Sequence, residues 1–513
     1  MSRPAPLLIA LVAGVLSATG FAPLGLWPVT LVAFAVLVWL VGAAPSAKSA
    51  FARGWAFGVG HFTLGLNWIA HAFTFQDAMP HWFGWLAVVA LSLYLAVYPA
   101  LAVGGAWLLA GRTKNAALPF ALVFAGLWIV TEYLRATVFT GFAWNPLAAI
   151  WAGNGLREVT PWIGTYALSG LTILLANVLR AVPYRSTSAR LVVAALAVLL
   201  VTIGLGRGDR QTSAVRPVGP LVRFVQPDIG QALRNAADGD EARMQALERL
   251  TGPGSAPGSQ TPRLILWPEA AVPFFLEQEL FGRYRLSQLL GPRDLIVTGG
   301  DALVYNARGQ LLAARNSVFA MTPDRRLLDR YDKAHLVPYG EYLPARPLLS
   351  AIGLSRLVPG DLDFMPGPGP RTMTLPGFGR AGVQLCYEII FSGQVVDRRD
   401  RPDFVFNPSN DAWFGSWGPP QHLAQARLRA AEEGLPIVRA TPTGISAVID
   451  ADGRLLAALP LGKPGFIQMR LPEAHPPSFF ARHGNVVPLL LALALLLAGV
   501  APRVVARYRR THT

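Results

Sequence analysis

The chain has 513 residues, of which 52% are hydrophobic and only 15% charged, against about 25% charged in soluble globular proteins, which excludes a single soluble domain. Its 50 Gly and 42 Pro are scattered rather than periodic, and with 26 Phe and 14 Trp it is neither collagen-like nor disordered. The net charge of +15 would suggest nucleic acid in a soluble protein, but in so apolar a chain it reads as cytoplasmic-loop arginine and headgroup contact, so no nucleic-acid partner is expected. The single cysteine, Cys386, leaves no internal disulfide to form.

Seven apolar stretches fill the first two-fifths of the chain, centred near residues 5–19, 25–43, 54–73, 82–110, 116–135, 164–182 and 190–206, and an eighth lies at 485–502. Most are long enough to cross about 30 Å of hydrocarbon as helix. The first, after Met1-Ser-Arg, reads as an uncleaved span, since six more follow it and no A-x-A site precedes Phe21. His61, His71 and His81 read as interfacial histidines, because ten-residue spacing on a helix turns such ligands about 80° apart. Glu132 and Arg135 stand three residues apart near a helix end, where a mutual pair is expected.

Basic residues in short loops stay on the cytoplasmic side. Lys48 and Arg53, then Arg112 and Lys114, then Arg180, Arg185 and Arg190, and finally Arg503, Arg507, Arg509 and Arg510 occupy alternate loops and the tail. Both termini are therefore expected in the cytoplasm. The division that follows is a seven-span membrane domain at 1–206, an outer domain at 207–484 with its core at about 221–473, and an eighth span with a basic tail at 485–513. In a cell with two membranes the outer domain is periplasmic.

That outer segment alternates short apolar runs with polar turns. Its strand candidates are Leu221–Val225, Leu264–Trp267, Leu295–Thr298, Asn316–Met321, Gly382–Cys386, Phe404–Asn407, and the pair Ala447–Ile449 and Leu455–Ala458, joined by the hairpin signal Asp450-Ala-Asp-Gly. Helical patterns at Asp240–Leu250, Phe281–Leu290 and His422–Glu433 lie between them, which argues a mixed α/β sandwich.

Three strand ends carry ionisable side chains where a buried strand meets a loop, the usual place for sites on α/β folds. They are Trp267-Pro-Glu269, Lys333-Ala-His-Leu-Val-Pro-Tyr-Gly-Glu341 and Cys386-Tyr-Glu388. Taken alone, a cysteine reads as a small buried hydrophobe and a lone Glu or Lys as a solvated charge. Lys333, however, is one of only four lysines in a chain that uses arginine for nearly every positive charge, and a compact ammonium meets a developing oxyanion as a guanidinium does not. No P-loop, dinucleotide fingerprint or zinc spacing is present, so neither a cofactor nor a metal is expected.

These motifs in this order, followed by Asn410-Asp-Ala-Trp-Phe-Gly415, resemble the nitrilase (carbon–nitrogen hydrolase) superfamily, whose fold is an α-β-β-α sandwich with a Glu-Lys-Cys triad. The eight flanking spans narrow the resemblance to the membrane branch, the apolipoprotein N-acyltransferases of bacterial inner membranes. Glu132-Tyr-Leu-Arg135 and Thr140-Gly-Phe-Ala-Trp144 agree with it. The resemblance implies that an acyl chain leaves the sn-1 position of a membrane phospholipid, phosphatidylethanolamine above all. It ends on the α-amino group of the diacylglyceryl-cysteine of an apolipoprotein, through a thioester.

By the same resemblance Cys386 is the nucleophile and Glu269 the general base. Lys333, with a backbone N–H at Tyr387, stabilises the oxyanion. Glu341 and Glu388 support them, and Trp413 and Phe414 line the pocket mouth. Three other readings compete with it: a non-catalytic scaffold, opposed by all three triad residue types standing in order, a membrane-tethered amidase or nitrilase using water with the same triad, and a transporter whose outer domain only binds ligand. Few ionisable residues at the span centres count against the last.

Overall fold

The structure is a computed structural model that describes residues 5–75, 80–111, 117–181, 219–230, 238–351 and 364–512. The chain divides into two compact units: Met1–Ala70 with Gly84–Gln211 and Phe479–Thr513, and His71–Phe83 with Thr212–Ser478.

The first unit is helical. Helices Ala5–Ala18 and Trp27–Gly42 are apolar but short, at 14 and 16 residues. Helix Ala47–Gly65 starts seven residues before the apolar stretch expected at 54–73, because Ser46 caps it by accepting from Ser49 N. Among the described residues four helical segments are long and apolar enough to cross a membrane: Phe83–Ala110, Ala117–Thr137, Gly155–Leu179 and Val486–Val504. The stretch expected at 190–206, with Arg112, Lys114, Arg185 and Arg190, lies outside the described residues.

Small residues let these helices meet backbone to backbone, as membrane helices require where lipid supplies no hydrophobic drive. A Cβ on Gly14 would sit 2.0 Å from Phe57 O, and one on Gly60 2.2 Å from Leu11 O. His61 differs from its interfacial reading. It is buried on the same helix pair with Nδ1 2.7 Å from Ser17 Oγ, because a polar ring between packed helices needs a partner. Glu132 and Arg135 do pair, at 3.9 Å. They also fold the following loop back on the helix: Glu132 Oε1 accepts from Leu147 N, and Arg135 Nη1 donates to the carbonyls of Phe142 and Trp144.

The second unit holds two six-stranded sheets. The strands are β1 Leu221–Gln226, β2 Arg263–Leu266, β3 Leu295–Tyr305, β4 Leu311–Met321, β5 Leu327–Asp332, β6 Thr372–Leu375, β7 Gly379–Val383, β8 Phe404–Pro408, β9 Ile437–Ala440, β10 Ala447–Ile449, β11 Leu455–Ala458 and β12 Gly465–Arg470. The sheet orders are β12-β1-β2-β3-β4-β5 and β11-β10-β9-β8-β7-β6. Parallel pairing joins β1, β2 and β3 in one sheet and β7, β8 and β9 in the other, and the remaining neighbours are antiparallel.

The inner faces pack into one core, Val222, Phe224, Leu264 and Leu266 meeting Val383, Phe404, Phe406 and Val438. On the outer face of the first sheet, Val225, Ile265 and Ile296 bury against Met244 and Leu247 of helix Gly239–Thr251 and Leu286 of helix Leu280–Ser287. Helix Gly418–Glu433 lies beside β9 on the second. This is the α-β-β-α layering expected of a carbon–nitrogen hydrolase domain, and strands buried on both faces explain the unbroken apolar runs.

Candidate active site

The parallel strands aim their carboxyl ends at one place, where sites on such sheets form. Glu269 stands three residues beyond β2 on a loop pinned to β3: Trp267 N donates to Val297 O, Ala271 N to Gly299 O, and Gly299 N to Pro268 O. Only glycine fits at 299, since a Cβ there would lie 2.5 Å from Ala270 N and 2.8 Å from Glu269 Cα. Gly299→Ala must therefore displace Glu269. The expected result is a loss of turnover on the order of 10²-fold, as a misplacement of about 1 Å produces, with stability lowered by ~1–3 kcal/mol; initial rates and the unfolding midpoint check both.

Lys333 follows β5 directly, its N–H donating to Asn316 O of β4. Its side chain is 2% exposed, with Nζ 2.8 Å from Glu341 Oε1 and 3.4 Å from Glu269 Oε1. Asn316 Nδ2 donates to the same two oxygens, at 2.7 Å to Glu269 and 3.1 Å to Glu341. The remaining carboxylate oxygens accept from backbone, Glu269 Oε2 from Asn410 N at 2.7 Å and Glu341 Oε2 from Val337 N at 2.8 Å. Burial works against the ammonium, but Glu341 and Glu269 outweigh it and hold Lys333 above the ordinary lysine value.

Cys386 opens a tight turn, Cys386–Ile390, just past β7, rather than ending the strand expected at Gly382–Cys386. Its φ is +49°, a left-handed conformation costing a non-glycine residue ~1–3 kcal/mol. The thiol is buried. Burial and the negative charge of Glu269 push it well above its ordinary pKa, with Lys333 offsetting only part. The site therefore favours the thiol over the thiolate.

Glu388 ties the Cys386 turn to the Lys333 loop. Oε1 accepts from Ala334 N at 2.7 Å and His335 N at 3.0 Å, Oε2 accepts from Leu385 N at 2.7 Å, and Tyr331 OH donates to both at 2.9 Å. Burial pushes its pKa from 4.5 up to about 7, against the pull of these N–H groups and of Lys333. Between those values the folded chain keeps a proton that the unfolded chain has lost. The contribution of Glu388 to stability therefore falls as pH rises from 4.5 to about 7 and is constant above that window. Glu388→Gln is expected to remove that slope and to lower activity, because the amide presents donors to backbone N–H groups. Unfolding midpoints of both proteins across the window check it; parallel pH dependence would contradict the assignment.

Tyr387 is buried, its ring edge-on to Phe391 at 5.2 Å, and its backbone lies in the first turn after the thiol. Trp413 and Phe414 belong to the turn Asp411–Phe414. Phe414 is buried against the His422 ring at 5.6 Å, as a core aromatic, whereas Trp413 is half-buried and meets Phe75 edge-on at 5.6 Å. Glu269, Lys333, Glu341, Cys386 and Glu388 are thus brought together. Asn316, the Asn410 backbone and His422 join them without having been singled out as site residues. The signal for Asn410 was its place two residues beyond the apolar strand β8; nothing local marks Asn316 or His422. Among the described residues no three His, Cys, Asp or Glu side chains are grouped to hold a metal ion.

A sandwich of two six-stranded sheets with helices on its outer faces is the fold of a carbon–nitrogen hydrolase domain, and residues 222–474 match the Carbon-nitrogen hydrolase family. Residues 13–178 match the Apolipoprotein N-acyltransferase N-terminal domain. An apolipoprotein N-acyltransferase of Bradyrhizobium diazoefficiens is 37% identical, the match covering 98% of this chain and 96% of that one. Another, from Rhodopseudomonas palustris, is 34% identical over 95% of this chain and 94% of its own. Among solved structures, an amidase of the nitrilase superfamily from Nesterenkonia aligns at 19% identity and a TM-score of 0.35, covering 52% of this chain and 95% of its own. The chain belongs to the apolipoprotein N-acyltransferase family.

Proposed function

We propose that the protein transfers an acyl chain from the sn-1 position of a membrane phospholipid, phosphatidylethanolamine in particular, to the α-amino group of the N-terminal diacylglyceryl-cysteine of an apolipoprotein. The observation that carries this is the convergence of Glu269, Lys333 and the buried Cys386 thiol in a chain of this family.

Glu269 takes the thiol proton as Sγ of Cys386 attacks the ester carbonyl. Lys333 and the backbone N–H of Tyr387 hold the oxyanion, one such donor being worth ~3–4 kcal/mol. The tetrahedral intermediate collapses, the ester C–O bond breaks, and the lysophospholipid alkoxide recovers the proton from Glu269, leaving a thioester. The lipoprotein amine then attacks that thioester, Glu269 accepts its proton, the C–S bond breaks, and the thiolate is reprotonated as the amide leaves. No water is consumed. Glu341 keeps Lys333 in place and Glu388 joins the two loops, while Trp413 borders the entrance.

The helical unit belongs to this reading because both substrates carry acyl chains, and removing them from lipid costs about 0.8 kcal/mol per CH₂. We place eight spans in the bacterial inner membrane with both termini cytoplasmic. Residues 207–484 form the periplasmic catalytic domain between the seven-span part at 1–206 and the last span and tail at 485–513. The purified enzyme, given phosphatidylethanolamine and a diacylglyceryl lipopeptide, is expected to yield N-acylated peptide and lysophospholipid in equal amounts. No reaction with phosphatidylethanolamine, with neither lysophospholipid nor acylated peptide formed, would instead favour the water-using amidase.

A further inference from the structure

We propose that His422 is a positioning residue for Cys386: it grips the Cys386 carbonyl through Nε2, so that the backbone keeps the left-handed turn that presents the thiol to Glu269 and Lys333. The inference rests on reading Cys386 as the nucleophile.

His422 Nε2 lies 3.0 Å from Cys386 O. A carbonyl only accepts, so Nε2 carries the proton. A neutral imidazole has one, which leaves Nδ1 as an acceptor, and Arg439 Nη2 is the donor there at 2.9 Å. The same guanidinium nitrogen lies 2.6 Å from each oxygen of Asp411. Asp411 Oδ1 is 3.0 Å from Nδ1, but its charge is met by Arg439 rather than by a proton on the ring. Burial and Arg439 together lower the pKa of His422, which agrees with the neutral Nε2–H form.

The arrangement reverses the usual Asp–His pair, where the carboxylate takes Nδ1–H and Nε2 is left as a base. Here Nε2 is committed to a carbonyl, so His422 holds the backbone and moves no proton. The ring is fixed from several sides. Arg439 of β9 also donates to Ser409 Oγ at 3.0 Å, Phe414 packs edge-on to the imidazole, and Asp411 approaches over Gly444, where a Cβ would lie 2.4 Å from Oδ2. This fully buried set ends on the carbonyl of a residue whose φ is +49°.

The test uses the full-length enzyme in detergent with phosphatidylethanolamine, measuring acyl-enzyme formation in native, His422→Leu and His422→Gln proteins. The Leu variant, matched in unfolding midpoint, is expected to lose acylation rate on the order of 10²-fold with the donor KM unchanged. Gln, whose Nε2–H reaches the same carbonyl, is expected to recover most of it. A Leu variant as fast as native, or a Gln variant as slow as Leu, overturns the inference. Imidazole ¹⁵N spectra of the native histidine-labelled chain test it even if the variants do not fold: a proton on Nδ1 rather than Nε2 at neutral pH overturns it. A native enzyme that forms no acyl-enzyme counts against the acyl-transfer reading, while the spectra still decide the tautomer.

Discussion

Lys333→Arg is expected to abolish most activity although it keeps the charge. The ammonium is enclosed, with Nζ against the Glu341 and Glu269 oxygens that Asn316 Nδ2 also engages, and a planar guanidinium neither fits that space nor presents a compact donor to the oxyanion. Loss of one oxyanion donor costs 10²–10³ in turnover as an order of magnitude, and the displaced Glu269 adds to it. Lys333→Met goes further, leaving two buried carboxylates unpaired, and is expected to lower stability by ~3–5 kcal/mol. Acylation rates and denaturant midpoints check the pair. An Arg variant within a few-fold of native would mean that Lys333 is only a structural cation.

Glu269→Gln is the second large effect. With the thiol held well above its ordinary pKa, attack needs a base in place, and removing one costs about 10²–10⁴ in rate. The substitution also deletes the negative charge that helps raise the Cys386 pKa, so the thiol of the variant ionises more readily. The residual rate is therefore expected to climb with pH as hydroxide takes over the deprotonation. Single-turnover acylation followed across the pH range checks this; a native-like rate at neutral pH would remove Glu269 from the base role.

Much of this site was legible in the sequence because its side chains sit at the ends of strands that are apolar throughout. Leu264 to Leu266 and Phe404 to Phe406 announce themselves, and Glu269 and Asn410 follow a few residues on. Strands β5, β6, β9 and β12 were not legible. Leu327–Asp332 carries three charged residues on an edge, Gly465–Arg470 alternates with one face in water, and Ile437–Ala440 contains an arginine whose burial depends on Asp411, 28 residues away in the chain. Strands β3 and β4 run longer than their apolar runs, since backbone pairing continues through Asp301 and Arg315 to the turn at Asn306–Gln310. The role of Asn316 depends on the register that sets β4 against Lys333. The strain at Cys386 depends on a carbonyl bond to a helix 36 residues further on. Neither has a local signature.

The account stands on a thioester at Cys386, and intact-protein mass spectrometry after incubation with phosphatidylethanolamine tests that most directly. The account predicts a fatty-acyl mass increment that neutral hydroxylamine removes, that Cys386→Ala never acquires, and that a diacylglyceryl lipopeptide discharges. A folded enzyme that gains no adduct, or one whose adduct survives hydroxylamine, would contradict it.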